Sequence, residues 1–69
     1  MATFYLINEH IYELIEIDEN KNAKLIYWEW VDMNDKNQEL PQLEIIMSSE
    51  MLGELKELTE EEIEELMYK

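Results

Sequence analysis

Between Glu50 and Glu65 the chain carries eight carboxylates, Glu50, Glu54, Glu57, Glu60, Glu61, Glu62, Glu64 and Glu65, against one lysine, Lys56. Met51, Leu52, Leu55, Leu58, Ile63, Leu66 and Met67 are interleaved with them at helical spacing. A segment apolar on one side and densely anionic on the other must bury the first and give the second to water or to a cationic partner. As an isolated helix it is costly, because like charges at i, i+4 destabilise by roughly a few tenths of a kcal/mol per pair and Lys56 offsets little. The rest of the chain must supply the surface on which the leucines lie.

That surface reads as a sheet. Thr3 to Ile7 is rich in strand formers, and Asn8-Glu9 after it forms a turn or a bulge. From Ile11 to Asp18 a second strand places Ile11, Glu13, Ile15 and Ile17 on one face and Tyr12, Leu14 and Glu16 on the other. Glu19 to Asn22 is a turn, and Ala23 to Val31 is a third strand with Ile26, Trp28 and Trp30 on one face and Leu25, Tyr27, Glu29 and Val31 on the other. The turn length pairs Ile15 with Ile26 and Glu13 with Trp28. Asp32 to Pro41 is a polar loop, and Gln42 to Met47 a further short strand. Ser48 or Ser49 caps the segment that begins there; Thr59 with Glu62 is a capping box. The tail is therefore either two helical pieces meeting near Leu58 or one continuous helix. The fold expected is α+β: one domain, residues 1–69, with a small antiparallel sheet of three to four strands followed by one or two C-terminal helices.

Chain length sets the next limit. A domain of 69 residues buries only about 60% of its unfolded surface and commonly needs a staple. With no cysteine there is no disulfide and no ordinary zinc site, so oligomerisation is the staple left. Both faces of the sheet carry large apolar groups and the tail has helix enough for one, so Tyr27, Trp28, Trp30 and Val31 are candidates for core or for a homodimer interface.

Several chemistries are excluded as expectations. His10 is the only histidine, no nucleophile pairs with it, and so small a chain hardly builds the desolvated pocket that paired carboxylates need for catalysis. No catalytic residue, metal or cofactor is assigned. Asp32 to Glu39 has a superficial likeness to a calcium loop, but Lys36 stands where an oxygen ligand is required and Asn37 where glycine makes the turn. Trp28, Trp30 and Tyr27 could stack bases only in a cationic groove, and the formal net charge is −13 with no arginine. Direct nucleic-acid and anionic-membrane binding are thus excluded. There is no basic n-region in Met1 to Ile7 and no apolar run of about 20 residues, so a soluble cytoplasmic protein is expected.

The glutamates remain. On a continuous helix Glu50, Glu54, Glu57, Glu61, Glu64 and Glu65 fall in one stripe opposite the leucines, on the order of 20 Å long. Duplex DNA carries a phosphate every ~3.4 Å of axis per strand, a broadly similar density. An ordinary solvated face mixes lysine with glutamate, and here the lysines are missing. Asp32 and Asp35 extend the acidic surface.

A small, arginine-free, acidic, strand-rich chain with a glutamate-loaded C-terminal segment resembles the phage early proteins that imitate DNA. In length and layout it is most similar to the Bacillus-phage acidic DNA-mimic proteins that bind and inhibit the bacterial nucleoid protein HU. The resemblance implies a dimeric sheet-plus-helix protein, in the host bacterial cytoplasm, that occupies HU's DNA-binding surface with its acidic face. Other targets of the same physical type are RNA polymerase, a restriction or CRISPR nuclease, or a repair glycosylase. A different class of function is a small structural or regulatory protein using the aromatic residues as an interface.

Overall fold

The computed structural model describes residues 2–31 and 41–67. The strands are β1 (Phe4–Ile7), β2 (His10–Ile17), β3 (Asn22–Trp30), β4 (Glu44–Ser48) and β5 (Lys56–Leu58); a 3-10 helix, η1 (Ser49–Glu54), precedes β5, and one α-helix, α1 (Glu60–Met67), comes after it. All pairings are antiparallel, in the spatial order β4-β3-β2-β1-β5. This is the α+β arrangement expected, with a five-stranded sheet in place of three or four strands. Among the described residues no helix is long and apolar enough to cross a membrane.

Turn chemistry sets the first three strands. Asn8 and Glu9 lie between the paired Ile7 and His10, with φ of 49° and 69°. Two consecutive left-handed residues are what a two-residue hairpin needs to match strand twist. Asparagine tolerates that conformation; glutamate does so at a cost of roughly 1 kcal/mol. Replacing Glu9 by glycine is therefore expected to raise stability by about 0.5–1 kcal/mol, read as a higher urea midpoint at unchanged slope. At the next turn the Asp18 carboxylate accepts from the Asn20 and Asn22 amides at 2.9 Å each, and the Asp18 carbonyl accepts from Lys21, whose φ is 63°. The loop thus runs from Asp18 to Lys21, one residue earlier than the sequence suggests, and Asn22 joins β3.

That offset and two bulges change the register. Glu13 faces Ile26, not Trp28, and Leu14 faces Leu25, so the pairing of Ile15 with Ile26 does not occur. One irregularity skips Trp28, because Tyr12 pairs with Tyr27 while Ile11 pairs with Glu29. The extra residue reverses the alternation. Trp28 packs on Phe4, ring centroids 5.0 Å apart, whereas Trp30 stands opposite His10 with ring centroids 4.6 Å apart. The two tryptophans expected on one face lie on opposite faces. The second irregularity skips Ile15 and brings Ile17 opposite Ala23, away from the face of Ile11 and Glu13.

Both faces have a core. On one, Tyr5, Tyr12, Ala23 and Leu25 are buried, with Leu52 and Leu55 at the η1 end of the tail packed against them. On the other, Ile11, Val31 and Leu58 are buried beneath Ile63 and Leu66 of α1. The expectation that the tail covers only one face is therefore corrected: its two helical pieces lie on opposite faces. The reason is topological. β4 and β5 are the two edges, about 19 Å apart at four strand spacings. The link crosses between them as the 3-10 helix η1, which rises ~2.0 Å per residue against ~1.5 Å for an α-helix, followed by an extended Leu55.

Burial raises the tyrosine pKa values. Tyr5 is pushed above its ordinary 10.0 by desolvation and then by the Glu57 charge. Desolvation, then Tyr27, raises Tyr12; desolvation, then Glu29, raises Tyr27. A raised folded-state value favours the fold fully below the unfolded value and loses that contribution as pH rises through the folded one. Stability is expected to hold up to pH 10.0 and fall above it. In an alkaline titration, tyrosinate absorbance and loss of near-UV circular dichroism should then rise together.

Candidate functional site: an acidic surface on three elements

The carboxylates are displayed by a tail that changes structure twice. Ser48 Oγ accepts from the Glu50 amide at 3.3 Å and starts η1, as its position in the sequence suggests. Glu50 and Glu54 are exposed on η1. The chain then extends, and β5 pairs with the open edge of β1: Leu58 opposite Phe4, Glu57 opposite Tyr5, Lys56 opposite Leu6. Strand alternation turns Leu58 and Lys56 to the α1 face and Glu57 to the η1 face, beside Tyr5.

At Thr59 the chain turns into α1 through the expected capping box. The Thr59 amide donates to Glu62 Oε1 at 3.0 Å, and the Glu62 amide donates to Thr59 Oγ1 at 3.1 Å. Lys56 Nζ reaches Glu62 Oε2 at 2.7 Å. The Lys56 ammonium, and next the Thr59 amide, hold the Glu62 carboxyl below the usual carboxylate range. Glu60, Glu61 and Glu62 all sit at the positive end of the helix dipole. Ile63 and Leu66 face the core, leaving Glu61, Glu64 and Glu65 exposed within about 6 Å of helix axis.

The single stripe of six glutamates is therefore not formed. β5 divides it between opposite faces of the sheet: Glu50, Glu54 and Glu57 follow the crossing from the β4 edge to the β5 edge on the η1 side, and Glu61, Glu64 and Glu65 sit on α1 on the other. Asp32 and Asp35, like the loop with the calcium-like pattern, lie outside the described residues. Among the described residues few cations accompany these carboxylates. Of Lys21, Lys24 and Lys56, the lysines among the described residues, Lys24 is paired with Glu44 at 3.8 Å and Lys56 with Glu62.

The aromatic candidates scatter. Val31 is core, Tyr27 is half-buried and edge-on to Tyr12, and Trp30 is half-buried against His10. Trp28 is 43% exposed on the opposite face. His10 is itself buried, with Nδ1 lacking a hydrogen-bond partner. The short strand expected at Gln42 to Met47 is the edge strand β4, whose Ile46 is 64% exposed. Its signal is the alternation Ile45-Ile46-Met47, in which only the outer two can face the η1-side core.

Comparison with protein families, with curated proteins and with solved structures finds no match.

Proposed function

We propose that the protein is a DNA-mimicking inhibitor that binds the DNA-binding surface of a bacterial nucleic-acid-binding protein, HU first among the targets. In this reading it works as a homodimer in the host bacterial cytoplasm. The observation that carries the reading is the set of exposed carboxylates on η1, β5 and α1, beside which, among the described residues, Lys56 is held by Glu62. Carboxylates replace phosphates against the target's lysines and arginines, and both partners release counterions on contact. Carboxylates on both faces of the sheet also suit a cleft lined with cations on both walls. No catalytic step is assigned, and the partner is a basic protein, not nucleic acid or membrane.

The test is a titration of the protein into an HU–DNA gel shift at low salt. Release of DNA at stoichiometric excess supports the reading; DNA that stays bound rejects HU as the target. The affinity should fall steeply with added salt, whereas a salt-insensitive complex would mean apolar recognition. A pull-down from host lysate distinguishes HU from RNA polymerase, nucleases or a repair glycosylase. The aromatic-interface alternative has less support, because Trp28 and Trp30 point to opposite faces.

A further inference from the structure

The two edges of the sheet are unlike. β5 has three residues, Lys56 and Glu57 among them, with α1 beside it. Short, charged and covered edges resist pairing with another chain. β4 has five residues, Glu44-Ile45-Ile46-Met47-Ser48, with no lysine, no proline and no bulge in its ladder with β3. Among the described residues no strand lies on its outer side.

The ladder shows which peptide groups face outward. Tyr27 N–H donates to the Leu43 carbonyl and Ser49 N–H to the Lys21 carbonyl, so the odd-numbered residues of this strand bond to β3. In an antiparallel ladder the alternate residues then direct both peptide groups the other way. Those residues are Glu44, Ile46 and Ser48.

We propose that β4 pairs antiparallel with β4 of a second copy about a two-fold axis at Ile46, joining two sheets into one of ten strands. This deepens the homodimer part of the proposed function and does not depend on HU. Three features select a second copy. An odd-length strand with outward groups at its first, third and fifth residues is its own complement: Ile46 meets the partner's Ile46, and Glu44 meets the partner's Ser48. No like charges are brought directly opposite, which matters in a chain of net charge −13. The exposed Ile46 side chain, 64% accessible in the monomer, gains an apolar cross-strand neighbour.

Sedimentation of the full chain tests this without HU or DNA. The wild type should run at twice the chain mass of 8.4 kDa, and added salt should tighten the dimer by screening self-repulsion. Salt acts oppositely on the proposed HU complex, so the two ideas fail separately. Ile46→Pro removes only an outward N–H, and Ile46→Glu sets two carboxylates on the axis; each should give a monomer with unchanged circular dichroism. Mixed with Ile46→Lys, which places the opposite charge at the axis, the Ile46→Glu chain should dimerise again. The Glu44 and Ile46 amides should exchange slowly in the wild type and fast in Ile46→Glu. A wild type that is monomeric throughout, or a dimer indifferent to both substitutions, overturns the proposal; a variant that loses its circular dichroism hands the decision to the wild-type amide exchange.

Discussion

Replacing Tyr12 by alanine is expected to leave the chain mostly unfolded at room temperature. Tyr12 is 2% exposed near the start of β2, the central strand between β1 and β3, and its ring is edge-on to Tyr27 with centroids 5.9 Å apart. Its hydroxyl donates to the Gln42 carbonyl at 2.8 Å, joining the strand to the approach to β4. Truncating a buried aromatic ring costs about 3–5 kcal/mol, and the lost hydrogen bond adds about 1. At ~0.05–0.15 kcal/mol per residue, a chain of 69 residues has a total of roughly 3–10 kcal/mol to lose. Tyr12→Phe keeps the ring and should cost only about 1 kcal/mol. Urea titration followed by far-UV circular dichroism separates the two: a cooperative transition for Phe, little or none for Ala. Near wild-type stability of Tyr12→Ala would refute the placement of this ring in the core.

The second large effect concerns binding. Changing Glu54, Glu57, Glu61 and Glu64 together to glutamine is expected to weaken the proposed HU binding by about fourfold to nearly a thousandfold, at ~0.2–1 kcal/mol for each exposed ion pair lost. The salt dependence should flatten at the same time. Folding should not suffer, because all four side chains are exposed and their removal relieves like-charge repulsion. Unchanged affinity in the fourfold variant would remove the acidic surface from the mechanism. The two pairs also divide by face. Glu54 and Glu57 lie on the η1 side and Glu61 and Glu64 on α1, so testing the pairs separately reports whether a target grips one patch or both.

The first four strands could be read in the sequence because their alternation and turn residues are local. The Thr59–Glu62 box was equally local, and it holds. The features that stayed hidden needed tertiary information. Leu52, Leu55 and Leu58 recur every third residue, a spacing shared by an α-helix, a 3-10 turn and an extended strand beyond it; only the open edge of β1 decides for β5 at Leu58. The bulge at Trp28 has no local signature, yet it alone separates the tryptophans. Of the candidate site, the identities of the exposed glutamates were legible, but their common stripe was not, because it assumed one helix through Leu58.

The pairing of β1 with β5 also has a consequence for the order of folding. Tyr5 meets Glu57 across most of the chain, so this contact closes a loop of about fifty residues, whose entropy cost is on the order of 3 kcal/mol or more. The hairpins of β1, β2 and β3 close much shorter loops and are kinetically favoured to form first. The first strand then keeps one raw edge until Leu58 arrives, and α1 can settle only on the surface that Leu58 completes. β5 and α1, with the glutamates they carry, are thus expected to assemble last, which spares the nascent hairpins the crowding of those charges while they find their register.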